Sequence, residues 1–240
     1  MGPVETATTA FGQGVSVTPI QQTRGVSAAI NGGNLMRPYI LRSISEPETN
    51  QVIFLNKPKL ERRVISEETS SKTRLALEHV VALGTGRQAY IENHRVGGKT
   101  GTAQKVDDGV YMVGNYILSF IGFMPADNPQ FLIYVAVDNP RGVTQYGGTV
   151  AAPIAQNVLL SIIDYKGLEP VRNELVREYL WLDQKYVFLN NVIGMNLDNA
   201  KAALKGFEIE YSGSGRRVIA QIPSGNSFVK EGSTVKLMLN

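Results

Sequence analysis

Three apolar runs separated by short polar turns constrain this chain more than any other feature. Val96–Val106 ends at Asp107-Asp108-Gly109, Tyr116–Met124 ends at the turn Pro125–Gln130, and Phe131–Asp138 follows directly. Parallel neighbours need a crossover of a dozen or more residues, and these gaps are shorter than that. The spacing therefore predicts an antiparallel meander. Such a sheet must cover at least one apolar face, and the flanking sequence offers helices to do it.

The helices are marked by their ends. Thr18, Pro19 and Gln21 read as an N-cap, a first-turn proline and a T-x-x-Q capping box, and Asn31-Gly32-Gly33 supplies the stop. A second helix is expected from Ser66, with Glu67 and Glu68 at the positive end of its dipole. Its apolar face would hold Leu77, Val80 and Val81, and Gly84-Thr85-Gly86 would end it. Ile154, Val158 and Ile162 repeat at i, i+4 and i+8, which predicts a third helix laid against the sheet by that face. Ala10–Thr18 reads as a glycine-rich loop, and Met36 to Arg63 as a polar, proline-interrupted region with a short extended piece at Gln51–Leu55.

After Tyr165 the composition shifts. Residues 166–185 form a charge-rich connector that includes the only tryptophan, Trp181. From Tyr186 a self-contained pattern begins. Leu197, Ala200 and Leu204 keep helical spacing up to Gly206. Phe207/Ile209/Tyr211, Val218/Ala220/Ile222 and Val235/Leu237/Leu239 alternate as strands, with Ser212–Gly215 as the turn between the first two. The organisation expected is residues 1–165, a linker 166–185, and a small domain 186–240.

Composition excludes several function classes. The 240 residues are 43% apolar, enough for one sizeable core and a second small one, and 19% charged, which argues against disorder. A net charge of +3 without a dense Lys/Arg cluster gives no support to a nucleic-acid partner. There is no cysteine, so disulfides and thiolate metal sites are out. His79 and His94 stand far apart and read as ordinary helix and loop residues, so neither a metal nor another cofactor is expected. No apolar run approaches the roughly 18 residues of a membrane span, and Met1–Glu5 lacks the basic and apolar regions of a signal peptide.

The string that carries chemistry is Gly97-Gly98-Lys99-Thr100-Gly101-Thr102-Ala103-Gln104, on the strand that opens the meander. Lys99 is a compact cation suited to a peptide carboxylate. Thr100 and Thr102, two apart on a strand, present hydroxyls on one face. Gly98 and Gly101 are expected to let a ligand lie against the backbone, and an exposed edge would let a peptide pair as an extra strand. A backbone N–H there could stabilise an oxyanion, an effect worth roughly 3–4 kcal/mol per donor in acyl-transfer enzymes. K-T-G, together with S-x-x-K and S-D-N, marks the active sites of β-lactamases and penicillin-binding proteins.

The chain resembles class B penicillin-binding proteins at several separated places in the same order. These are Ala10–Gly14 (AFGQG), Val17–Gln21 (VTPIQ), Gly84-Thr85-Gly86, the K-T-G string, and Tyr146–Pro153 (YGGTVAAP). The resemblance covers roughly residues 2–165. It implies an α+β fold: part of a penicillin-binding transpeptidase domain, an antiparallel sheet flanked by helices. Lys99, Thr100 and Gly101 become the third catalytic motif. Thr102 supplies an oxyanion-hole N–H and a substrate-binding hydroxyl, and Gln104 joins Lys99, Thr100 and Thr102 in holding substrate. Residues 186–240 resemble a PASTA domain, a small β-α-β-β module, through Val192–Met195, Ala200–Leu204, Gly206-Phe207, Gln221–Pro223, Val229, Gly232-Ser233 and Val235.

In that family the S-x-x-K nucleophile and the S-x-N motif precede the GQG segment, so both are expected upstream of Met1. The nearest imitation in the first part, Thr69-Ser70-Ser71-Lys72, has threonine at the nucleophile position, and Ser224-Gly225-Asn226 reads as a turn before the last strand. The resemblance thus implies a fragment of a serine DD-transpeptidase, inactive by itself. Its parent would sit on the extracytoplasmic face of the bacterial membrane through an upstream anchor. Its partners would be peptidoglycan stem peptides ending in D-Ala-D-Ala, β-lactam antibiotics, and other division or sporulation proteins. Two other readings stay open: a non-catalytic peptidoglycan-binding scaffold, and a DD-carboxypeptidase or β-lactamase relative.

Overall fold

The computed structural model describes residues 2–10, 12–177 and 185–240. Trp181 and most of the second half of the connector lie outside the described residues. The chain opens with a helix that the sequence pattern did not announce, α1 (Pro3–Ala10), followed by α2 (Pro19–Ile30). The capping box forms as expected. The Thr18 hydroxyl accepts the Gln21 N–H, and the Gln21 side chain accepts the Thr18 N–H at 2.9 Å. Residues 34–63 form two small antiparallel ladders. Strand β1 (Asn34–Arg37) will pair with β4 (Lys59–Arg63), and between them β2 (Ser43–Ser45) and β3 (Val52–Leu55) make a hairpin. Helix α3 (Glu67–Ala82) is capped by the Ser66 hydroxyl, which accepts the Thr69 N–H.

The meander is present. Strand β5 (Gly97–Asp107) pairs with β6 (Val110–Met124), and β6 with β7 (Phe131–Asp138), in the order β5-β6-β7, all antiparallel. Its main core lies on one face, where Phe120 and Met124 meet Val81 and Val96 and the long helix α4 (Gly147–Lys166). Burying a side chain such as Phe120 or Leu159 contributes about 1.5–3 kcal/mol each. On the other face Phe123 packs with Ile30 of α2.

The buried side of α4 differs from the expected one. Ile154 is 43% and Val158 41% exposed, whereas Ala151, Ala155, Leu159 and Ile163 are buried. Both stripes have the same i, i+4 spacing, so periodicity cannot choose between them. Alanine at 151, 152 and 155 lets the helix backbone approach the sheet closely, and that contact wins over the bulkier stripe.

The second domain has its own core of Leu189, Val192, Ala200, Leu204, Val218, Val235, Leu237 and Leu239. It contains β8 (Tyr186–Leu189), α5 (Leu197–Ala203), β9 (Glu208–Ser212), β10 (Val218–Ile222), β11 (Ser227–Lys230) and β12 (Thr234–Leu239). Strand β12 is central, parallel to β9 and antiparallel to β10, while β8 and β11 pair separately. The segment after β9 therefore joins strands that do not pair with each other. A register shift between Val218 and Ala220 also breaks the expected alternation. Ile222 faces out and Gln221 is buried, where its amide accepts the Val192 N–H and donates to the Asn190 carbonyl.

The domains meet at the loop before β5. The ring of His94 packs edge-on against Phe228, with centroids 5.8 Å apart, and Lys185 reaches Glu92 at 3.3 Å and Glu231 at 3.7 Å. Burial lowers the pKa of His94 from its usual value. Asn173 stitches the connector to the same loop, accepting the Asn93 N–H and donating to the carbonyls of Ile91 and His94.

Because its core is complete within 186–240, the second domain is expected to fold alone. A polypeptide of residues 185–240 should show a cooperative thermal transition by circular dichroism, and a coil-like spectrum would contradict this.

Candidate active site

Position in the site begins with Arg95, two residues ahead of β5. Its guanidinium, 11% exposed, makes two parallel hydrogen bonds to the Glu78 carboxylate of α3, at 2.9 and 2.7 Å, and a third bond to Glu174 at 2.8 Å. Glu78 is 5% exposed, and the bond to it is the main cause that raises the Arg95 pKa further. The forked pair fixes the start of β5 against the helix that ends in Gly84-Thr85-Gly86. Removing one partner would strand a buried charge, so Arg95→Ala should lower stability by about 3 kcal/mol. Urea unfolding measures it, and a loss below about 1 kcal/mol would mean that the pair is effectively solvated.

Strand β5 is an edge of its sheet, and Thr100 and Thr102 point from one of its faces into a cavity of about 470 Å³. The cavity is closed by Gly84-Thr85, Arg87, Gln88 and the first turn of α4. Two contacts organise it. The Thr85 and Thr100 hydroxyl oxygens are 3.1 Å apart, and the Thr102 hydroxyl accepts the Gly147 N–H at 3.3 Å. Tyr146, the N-cap of α4, makes no side-chain capping bond, so Thr102 caps this helix from another strand. The close approach needs glycine. A Cβ on Gly147 would lie 2.4 Å from the Ser119 carbonyl oxygen and 2.5 Å from that of Gly101, and one on Gly148 would lie 2.3 Å from the Thr85 carbonyl oxygen.

Other expectations fare differently. Lys99 lies on the opposite face of β5, outside this cavity; it is exposed, and its ammonium donates to the Thr100 carbonyl at 2.9 Å. Gln104 shares the threonine face and is half-buried. Gly98 and Gly101 do not open space for a ligand. A Cβ at Gly98 would strike the Phe120 ring at 2.4 Å, and one at Gly101 the Ser119 hydroxyl at 2.5 Å, so packing across β6 demands both.

The S-x-x-K string, expected only upstream of Met1, does occur twice in the second domain. Ser227-Phe228-Val229-Lys230 lies on β11, and Ser233-Thr234-Val235-Lys236 runs into β12. A helix would bring Ser and Lys onto one face, but along a strand i and i+3 point oppositely. The two hydroxyls donate to the carbonyls of Ser224 and Lys230, and Lys236 pairs with Glu210 at 3.4 Å. Neither is an activated nucleophile. Ser224-Gly225-Asn226 is a turn with Asn226 at φ 59°, and it precedes β11 rather than the last strand. Sequence reasoning missed Thr85 as a site residue. The signal for it is the threonine inside Gly84-Thr85-Gly86, a string that reads as a helix stop and as part of the family resemblance but assigns no role to the side chain.

A larger cavity, about 660 Å³, lies between the domains and is lined mainly by Ile163, Leu168, Tyr186, Val187, Phe188 and Phe228. It has size but lacks the converging hydroxyls and helix N-terminus, so the chemistry points to the smaller one. No helix of the described residues is long and apolar enough to cross a membrane.

Comparison with known proteins agrees with this geometry. Residues 2–160 match the penicillin-binding protein transpeptidase domain, and residues 187–240 match the PASTA domain. Stage V sporulation protein D of Bacillus subtilis is 51% identical over 239 residues, covering 100% of this chain and 37% of that protein. A peptidoglycan D,D-transpeptidase FtsI homologue of Mesostigma viride is 31% identical, covering 73% of the chain and 31% of the relative. The chain thus spans about a third of these relatives' length. Among solved structures, penicillin-binding protein 3 of Mycobacterium tuberculosis, complexed with ampicillin, superposes with a TM-score of 0.61 at 30% identity, over 70% of this chain and 40% of that one. The chain belongs to the penicillin-binding protein transpeptidase family and ends in a PASTA domain.

Proposed function

We propose that this chain is the K-T-G-bearing portion of a serine DD-transpeptidase that cross-links peptidoglycan stem peptides and is acylated by β-lactams. The observation that carries the reading is the convergence of the Thr100 and Thr102 hydroxyls with the first turn of α4 at the open edge of β5. A peptide ending in D-Ala-D-Ala would lie along that edge as an added strand, its terminal carboxylate held by the two hydroxyls, Lys99 and Gln104. The Thr102 N–H would stabilise the oxyanion.

In the reaction proposed, a serine oxygen forms a bond to the penultimate carbonyl carbon and the C–N bond to the terminal D-Ala breaks. The serine proton ends on the departing amine, and an amine of a neighbouring stem peptide then displaces the serine. Residues 2–165 contain no S-x-x-K, and the two strings in the second domain lie on or beside strands, so on this reading the serine would come from polypeptide outside these 240 residues. The working place is the extracytoplasmic face of the membrane, in division or sporulation. The same lack of an S-x-x-K serine in residues 2–165 supports a second reading, a scaffold that binds peptidoglycan without acylation.

Two measurements test this. Incubated with excess benzylpenicillin, the isolated chain should gain no covalent mass by intact-mass spectrometry, and an adduct on one of its serines would overturn the assignment. In a chimera, this chain replaces the aligned 37% of the Bacillus subtilis protein. That chimera should react with a fluorescent penicillin, and absence of labelling favours the scaffold. Thr100→Val should slow acylation about tenfold to a hundredfold, because a hydrogen bond to a charged group is lost. Asn226→Gly, which suits the positive φ, should leave the rate unchanged. The opposite pattern would move the site elsewhere.

A further inference from the structure

A threonine hydroxyl has one proton to give and two lone pairs to receive with. Its partners therefore decide what it can offer a ligand. Thr102 already receives the Gly147 N–H, so its proton is left for the cavity. Thr100 has one hydroxyl neighbour, Thr85, and either could be the donor.

The segment holding Thr85 is pinned on two sides. The N–H groups of Gly84 and Gly86 both donate to the Val80 carbonyl, at 3.2 and 3.0 Å, at the C-terminal end of α3. The Thr85 carbonyl oxygen abuts Gly148, where a Cβ would lie only 2.3 Å away. The Thr85 backbone is thus held opposite Thr100, and only the stiff χ1 torsions of two β-branched side chains set the hydroxyl separation.

We propose that Thr85 is a positioning residue for a carboxylate-bearing ligand, a role that rests on reading Thr100 and Thr102 as the carboxylate-binding pair. Thr85 donates to Thr100 as Gly147 donates to Thr102, so each strand hydroxyl keeps its proton free to offer. Both protons then face the same anion. A chain running from Thr85 through Thr100 to a carboxylate polarises in one direction, and each bond strengthens the next. The first turn of α4 adds the positive end of a 20-residue helix beside it.

The test uses the chimera described above and compares benzylpenicillin with its methyl ester, which removes the anionic charge but keeps the lactam. Thr85→Val keeps the shape and loses the hydroxyl. It should slow acylation by the acid about tenfold, leave the ester's rate within about twofold, and so shrink the preference for the charged ligand. Thr85→Ser should restore the preference, because it keeps the donor. Equal losses on both ligands would mean a structural role, and an unchanged rate on the acid would mean no role; either overturns the proposal. If the valine variant melts early, Thr85→Ala on this exposed position is read the same way. Failure of the unsubstituted chimera to react with either ligand would overturn the reading of the site itself, a result distinct from any change in preference.

Discussion

The contact on which this arrangement depends is the approach of α4 to the backbone of β5 and β6. Gly147 sits against the carbonyls of Ser119 and Gly101, and Gly148 against that of Thr85. Any side chain there would push the helix back by more than an ångström, and three things would change together. The Thr102 cap would lengthen, the Thr85 and Thr100 hydroxyls would lose their fixed spacing, and the alanine stripe of α4 would leave a gap over Phe120. A gap in a packed core costs both the lost transfer energy and the cavity. Site geometry and core packing thus rest on the same two glycines.

The other end of the strand is held electrostatically. Arg95 ties the start of β5 to α3 through Glu78 and to the connector through Glu174, and the loop just before it touches the PASTA domain through His94 and the end of the connector through Glu92. Strand β5 is therefore gripped by helix, connector and second domain within a few residues. Lys185 illustrates the balance at that joint. Desolvation disfavours its charge, yet Glu92 and Glu231 more than compensate and raise its pKa. Among the described residues the contact includes the His94–Phe228 ring pair, the Lys185–Glu92 ion pair, and Tyr186 and Phe228 packed against the first domain's core, while each domain keeps a core of its own.

Much of this was legible in the sequence, and the reasons differ by feature. Short-range chemistry read well. The Thr18 capping box, the Ser66 cap and the meander turns each depend on a few adjacent residues. The choice of apolar face on α4 was not legible, because Ile154/Val158 and Ala155/Leu159 have the same period and only the partner surface selects between them. The inversion at Gln221 needed a bulge that alternation cannot announce. Gly98 was read as room for a ligand when Phe120 occupies that room, since a glycine reports a close approach without saying what approaches. Thr85 stayed hidden for the same reason. Its partner is fifteen residues away, on a strand whose register is set by long-range pairing.

The alternation of β5 has a consequence for how a ligand would be held. Lys99 leaves one face of the strand, and Thr100 and Thr102 leave the other. A carboxylate on either face alone would meet the charge or the hydroxyls, not both. The two faces meet at the open edge, toward which a long ammonium stem can bend. Lys99 already bends that way, donating to the carbonyl of Thr100. On the proposed reading, the substrate's backbone would pair with the edge and its carboxylate would sit where the two faces meet. Orientation would come from the ladder, charge recognition from both sides of it. A strand at the sheet's interior could not do this, which is why the position of β5 at the margin matters more than the identity of any single side chain on it.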